Sequence, residues 1–199
     1  MISLAFSRIW SSWPWYGIRA FGLLAVFLLV LTVLIGIGQV TGFTYRYLEP
    51  IKAWAIHKAI AIALAISVAM HLLLLLIDQQ MRFSLIQILI PFINRYNNGT
   101  RILGLPLGSL AIALGIFAMY GIYVIVFSSL GWIDTKKYLW QKLHFISYPV
   151  ALFVMIHSLY AGTDLKHGWL RVVWIIMIMV VLVGFFHRLR RSGSLAKQK

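Results

Sequence analysis

Apolar residues along this chain come in blocks of about 20, the length that crosses a hydrocarbon layer at 1.5 Å rise per residue. Five such blocks, roughly 21–40, 53–77, 107–130, 139–160 and 170–187, predict five transmembrane helices. Residues 1–20, with Trp10, Trp13 and Trp15, are too polar and aromatic for a span and predict an interfacial segment. Their order of residues is wrong for a cleaved signal peptide. The longest connection runs over 78–105. Its first half, MRFSLIQILIPF, predicts a short interfacial helix that Pro91 ends, and Asn97-Asn98-Gly99 predicts a turn. Residues 188–199 form a basic tail.

Composition turns this pattern into a class. The 199 residues are 62% hydrophobic, and their mean hydropathy of +0.91 is more than a water-soluble core can absorb, so the expected fold is an all-α membrane bundle. The absence of cysteine excludes disulfides, thiolate metal sites and iron–sulfur clusters. A net charge of +14 invites a nucleic-acid reading, but the basic residues cluster in loops and tails between apolar spans, as orientation signals and headgroup contacts do. All four acids (Glu49, Asp78, Asp134, Asp164) also fall in predicted loops, which argues against a proton-relay transporter. Eleven Lys and Arg lie on the side shared by the first loop, the third loop and the C-terminus, against seven on the other. That bias predicts a cytoplasmic C-terminus.

The candidate chemistry lies in four histidines inside the apolar blocks. His57 and His71 lie on the second span with spacing H-x13-H; His144 and His157 lie on the fourth with spacing H-x12-H. Ionisable residues within a membrane point to function. On parallel helices the two members of each span are separated by about 21 and about 19.5 Å of rise. The matched rise pairs His57 with His144 and His71 with His157, as two bis-histidine haems stacked across the bilayer would require. Zinc fits poorly, because its ligands converge within about 2.1 Å of one point. At about 100° per residue, His71 returns to within about 40° of His57, whereas His157 lies about 140° from His144 on a straight helix. Something must bend the fourth span, and Pro149 lies between its histidines.

Other residues carry weaker expectations. His167 and His187 read as solvated interfacial groups. Arg46, Lys52, Lys142, Arg95 and Arg101 could pair with haem propionates and equally serve as membrane anchors. Phe117, Tyr120, Tyr123, Phe145, Tyr148 and Phe153 could pack on a porphyrin or simply on neighbouring helices. Ala61 and Ala65 would leave room for a macrocycle or allow close helix packing.

The segments HKAIAIALAISVAMHLLLLLID and WQKLHFISYPVALFVMIHSLYAGTD, with IPF at 90–92 and LGSLAIALGIFAMYGIYVIVFSSL between the histidine helices, carry a resemblance. The chain resembles the ferric reductase-like transmembrane domain family. That family includes the membrane parts of ferric reductases and NADPH oxidases and the haem-binding subunit of the bacterial periplasmic methionine sulfoxide reductase system. The resemblance implies that His57, His71, His144 and His157 are axial ligands of two b-type haems. It also implies electrons entering from a flavin at the inner haem and leaving from the outer one. The chain stops soon after its last span and carries no G-x-G-x-x-G after a strand; Gly36-Ile-Gly38 lies off-pattern within the first span. It is therefore not expected to oxidise NAD(P)H by itself, and flavin is expected only on a partner or loosely bound.

These readings combine into a membrane b-type cytochrome, an electron-transfer component of an oxidoreductase system in a bacterial inner membrane. A cytoplasmic flavin reductase or a membrane quinol would donate, an external acceptor would receive, and no nucleic acid is involved. A subunit dedicated to a periplasmic reductase is the nearest rival. A haem-free scaffold or transporter, with histidines that only join helices, is the rival of another class.

Overall fold

A computed structural model describes residues 2–94, 96, 101–102, 105–165 and 167–196, by backbone alone at 2–11, 102, 105 and 191–196. Among the described residues seven α-helices follow in order: α1 (Ile2–Thr41), α2 (Pro50–Ile77), α3 (Leu85–Leu89), α4 (Leu107–Gly131), α5 (Lys137–Phe145), α6 (Ser147–Ala161) and α7 (Trp169–Ala196). Two-residue strands β1 (Arg101–Ile102) and β2 (Leu105–Pro106) pair antiparallel before α4. The expected turn at Asn97-Asn98-Gly99 lies outside the described residues. Among the described residues five helical stretches are long and apolar enough to span a membrane: Ser12–Thr41, Pro50–Ile77, Leu107–Gly131, Lys137–Ala161 and Trp169–Arg190.

The first span begins earlier than the hydropathy pattern places it. α1 runs without interruption through Pro14 and through the region expected to lie at the interface. The aromatic residues there lower its hydropathy without costing much helix propensity. Gly42 ends the helix with φ +77°, a left-handed position that suits a residue without Cβ. Pro50 then opens α2 at the first helical turn, where its missing N–H costs nothing. Across this turn the Gln39 amide donates to the Ala53 carbonyl at 3.0 Å. The short helix expected near Pro91 is α3, started by a reciprocal cap between Ser84 and Gln87.

The fourth span is broken. α5 stops at Phe145 and α6 begins at Ser147, with the Ile146 N–H donating three residues back to the Leu143 carbonyl. Pro149 is the third residue of α6 and has no N–H to give to the Phe145 carbonyl, so the ladder cannot continue through this point. The bend demanded by the 13-residue histidine spacing therefore falls three residues ahead of the proline, at Ile146.

Packing groups the spans into two antiparallel hairpins, α1 with α2 and α4 with α5–α6, and α7 packs mainly on α1. α1 supplies the largest part of the core, including Leu29, Val30 and Ile37; α4 adds Ala118 and Ile122, α6 adds Val150 and Met155, and α7 adds Trp174. Close approach depends on small residues, as expected where lipid tails are as apolar as side chains. A Cβ at Gly121 would overlap Val150 across the second hairpin. The histidine helices α2 and α6 face each other across a gap without extensive backbone packing.

At the face away from the C-terminus, the Arg19 guanidinium ties α1 to the loop after α6 through two bonds to Asp164, one from Nε at 2.8 Å. The hydrogen bond from Arg19 holds the Asp164 carboxyl below the usual carboxylate range. The tie therefore stabilises the fold above that range and is lost as pH falls through the lowered value. Asp164→Asn is expected to lower the thermal midpoint in detergent at neutral pH by the equivalent of about 1 kcal/mol or less, since the pair is partly solvated. It should also remove this share of the acid sensitivity. Equal midpoints for both proteins at neutral pH would show that the tie contributes nothing.

Candidate functional site: two histidine pairs between the hairpins

The structure brings the four membrane histidines together in two pairs. His57 and His144 lie at the basic face, the one bearing the C-terminus, with ring centroids 6.2 Å apart and ring planes inclined by 55°. His71 and His157 lie towards the opposite face and line one internal cavity. Since α2 is continuous between His57 and His71, the two levels are separated by about 21 Å of helix rise. All four imidazoles are half-buried.

Each ring is backed by a small residue on the antiparallel partner helix. On α1, Gly22 faces His71 and Gly36 faces His57; a Cβ at either would lie 3.2 Å from the nearest ring atom. On α4, a Cβ at Gly115 would overlap the His157 ring, and Ser129 lies beside His144, its Oγ 3.5 Å from Nδ1. The first hairpin thus sets glycines 14 residues apart against histidines 14 residues apart. The second sets Gly115 and Ser129, also 14 apart, against the pair that straddles the break at Ile146.

The missing side chains give the rings access to backbone. His71 Nδ1 lies 2.9 Å from the Ile18 carbonyl, and His157 Nδ1 lies 2.9 Å from the Ala111 carbonyl. In each case the carbonyl belongs to the residue one turn before the glycine, so it already accepts the glycine's own N–H. A carbonyl only accepts, so Nδ1 is the protonated nitrogen in both rings. The Nε2 lone pair of each is then available to a metal. The equivalent carbonyl for His57 is that of Thr32, which acts on the ring, yet His57 Nδ1 has no partner within hydrogen-bonding geometry. Ser129 Oγ, beside His144, accepts a hydrogen bond from Trp140 Nε1 at 3.0 Å.

The donor set limits what these pairs can hold. Among the described residues no three His, Cys, Asp or Glu side chains converge on one metal-sized point. Each level offers two imidazoles and nothing more, which suits a metal whose remaining ligands arrive with it. Two metal–nitrogen bonds of about 2 Å, with half a ring beyond each, set the centroids of two opposed imidazoles roughly 6 Å apart. The spacing of His57 and His144 matches.

Of the other anticipated residues, Lys52 pairs with Glu49 at 3.1 Å, Arg46 covers the Phe43 ring at 6.0 Å and Lys142 covers the Tyr138 ring at 4.3 Å. Arg101 is exposed in β1, and Arg95 lies outside the described residues. His167 and His187 are exposed. None of the six candidate aromatics lines the cavity at His71 and His157. Tyr148 instead packs on Phe185 at 4.7 Å, Tyr120 donates to the Leu89 carbonyl at 3.0 Å, and Ala61 and Ala65 pack against the core. The charged side chains that do line the cavity are Arg19 and Asp164. Sequence reasoning missed them and the backing glycines. The repeated 14-residue interval of Gly22 and Gly36 was the signal that could have revealed the latter.

A model of the family described as ferric reductase like transmembrane component matches residues 21–155. That is more than half of the chain, and the chain belongs to this family. The matched stretch contains His57, His71 and His144; His157 lies just past its end. No curated protein and no solved structure matches.

Within the membrane region the Tyr123 hydroxyl of α4 donates across the hairpins to the Ala65 carbonyl of α2 at 3.2 Å. Tyr123→Phe is expected to cost about 0.6 kcal/mol, the usual worth of such a bond between membrane helices, read as a small drop in thermal midpoint. A drop as large as that of a core Leu→Ala change would show that the hydroxyl has a further partner.

Proposed function

We propose that this member of the ferric reductase-like transmembrane family is a b-type cytochrome that carries electrons across the bilayer through two haems. His57 and His144 are the axial ligands of one haem and His71 and His157 those of the other. The observation that carries the reading is the pairing itself: two imidazoles and no third donor at each level, with the ring spacing of a bis-histidine site where the rings are in direct contact range. The gap between α2 and α6 supports it, since helices separated along their length while sharing histidine pairs leave room for a flat macrocycle.

Haem, when bound, supplies a one-electron couple at each level. The chain's own residues do the rest. Gly22 and Gly115 let His71 and His157 seat against backbone, and the Ile18 and Ala111 carbonyls hold each Nδ1 proton so that Nε2 faces the metal unprotonated. Leu29, Leu64, Val68 and Ile122 line the cavity and exclude water. At the cavity's polar end Arg19 offers a cation for a carboxylate of the bound group, with Asp164 as its present partner. The basic face is the cytoplasmic one in this reading, and a flavoprotein or a membrane quinol donates there. The acceptor lies beyond the opposite face and is a soluble oxidant or a partner reductase.

The purified full chain is expected to carry about two b haems by pyridine haemochrome assay. His71→Ala and His157→Ala should each remove one haem, and His57→Ala and His144→Ala the other. A folded, colourless protein after expression with added haem would overturn the reading in favour of histidines that only join helices. Two haems that survive all four substitutions would overturn the pairing.

A further inference from the structure

The two levels resemble each other in their ligands and differ in what holds those ligands. At the level of His71 and His157, both Nδ1 groups donate to helix carbonyls at 2.9 Å. At the level of His57 and His144, the Thr32 carbonyl acts on the His57 ring, but the ring's Nδ1 lies outside hydrogen-bonding geometry. The other Nδ1, of His144, has Ser129 Oγ at 3.5 Å, a long contact to a hydroxyl that also accepts from Trp140 Nε1. A hydrogen bond donated by Nδ1–H pushes electron density towards Nε2 and makes the imidazole the stronger donor, which favours the higher oxidation state of a bound metal.

Charge adds to the same difference. Lys58 follows His57, Lys142 precedes His144 by two residues, and Arg188 acts electrostatically on the His144 ring. Cations near the basic level favour the reduced, less positive state there. At the other level the cation lining the cavity, Arg19, is met by Asp164 through two bonds. Burial acts the other way, because the His71 and His157 rings are the more deeply enclosed; the bonds and charges above must outweigh it.

We propose that Gly22 and Gly115 are positioning residues that set the His71/His157 haem at the lower reduction potential, so that the first electron entering the protein rests at the His57/His144 level. The inference builds on the haem reading above. Its mechanical basis is the absent Cβ: only there can an imidazole reach the carbonyl one turn earlier. Gly36 provides the same access beside His57, but no Nδ1 bond is made there. The protein thus holds an electron near the donor face until an acceptor, or a second electron, draws it across.

The test is a spectroscopic redox titration of the purified full-length protein with haem counted in the same samples. The wild type should titrate in two steps. Replacing His71 or His157 with Ala should leave the higher step, and replacing His57 or His144 should leave the lower. In Gly22→Ala the new Cβ presses the His71 ring from the Ile18 carbonyl, and the lower step should rise by about tenfold in the reduction equilibrium, or 59 mV for one electron. Gly36→Ala, whose Cβ presses the His57 ring instead, should leave the lower step at its wild-type position and act only on the higher one. Two haems with the reverse order of steps would overturn this inference and leave the haem reading standing. So would a Gly22→Ala protein that keeps both haems and both wild-type steps. A wild type without haem would overturn both.

Discussion

An imidazole can reach the carbonyl of a neighbouring helix only where the residue one turn further along leaves the space open. That steric condition organises this molecule. It fixes which residues of α1 face His57 and His71, and which residue of α4 faces His157. Because both helices of a hairpin are regular, one glycine–histidine contact sets the register, and a second contact 14 residues away must then use the same face or fail. The glycines weaken their own helices by roughly 1 kcal/mol each relative to alanine. In a bilayer that cost is offset by close packing and by a hydrogen bond for a ring nitrogen that would otherwise lie unsatisfied in hydrocarbon.

The two hairpins meet this condition by different routes. α2 is unbroken, and 14 steps keep both its histidines on nearly one face. The second hairpin has one step fewer, and on a straight helix that would turn His157 away. Ending α5 at Phe145 and restarting at Ser147 lets each histidine belong to its own segment, so the ring directions no longer follow from a single helical period. The backing residue changes at the same place. His157 has a glycine behind it and His144 a serine, which supplies a hydroxyl where the other three sites expose backbone or nothing.

Much of this could be read from the sequence. The five apolar blocks, the short α3, and the matched rise of the histidines all follow from length, period and residue type. The need for a bend in the fourth span also followed from arithmetic, although its position at Ile146 did not, because a proline constrains the turn before it rather than marking the break itself. The upstream start of α1 was hidden by Trp10, Trp13 and Trp15, which read as interfacial by composition yet accept helical geometry. Arg19 and Asp164, 145 positions apart, meet only because the early part of α1 and the loop after α6 lie at the same face. No local pattern signals that. The glycines needed a comparison between two helices, since a lone Gly in an apolar helix says little.

Each hairpin carries one member of each histidine pair. A ribosome delivers the chain from its N-terminus, so α1 and α2 can enter the bilayer and seat their glycine contacts while His144 and His157 are still unmade. Neither pair exists until α5 and α6 have followed and docked against them. Completion of both levels is thus a late event in biogenesis, and a chain truncated before α5 would present the two imidazoles of α2 to lipid with nothing opposite.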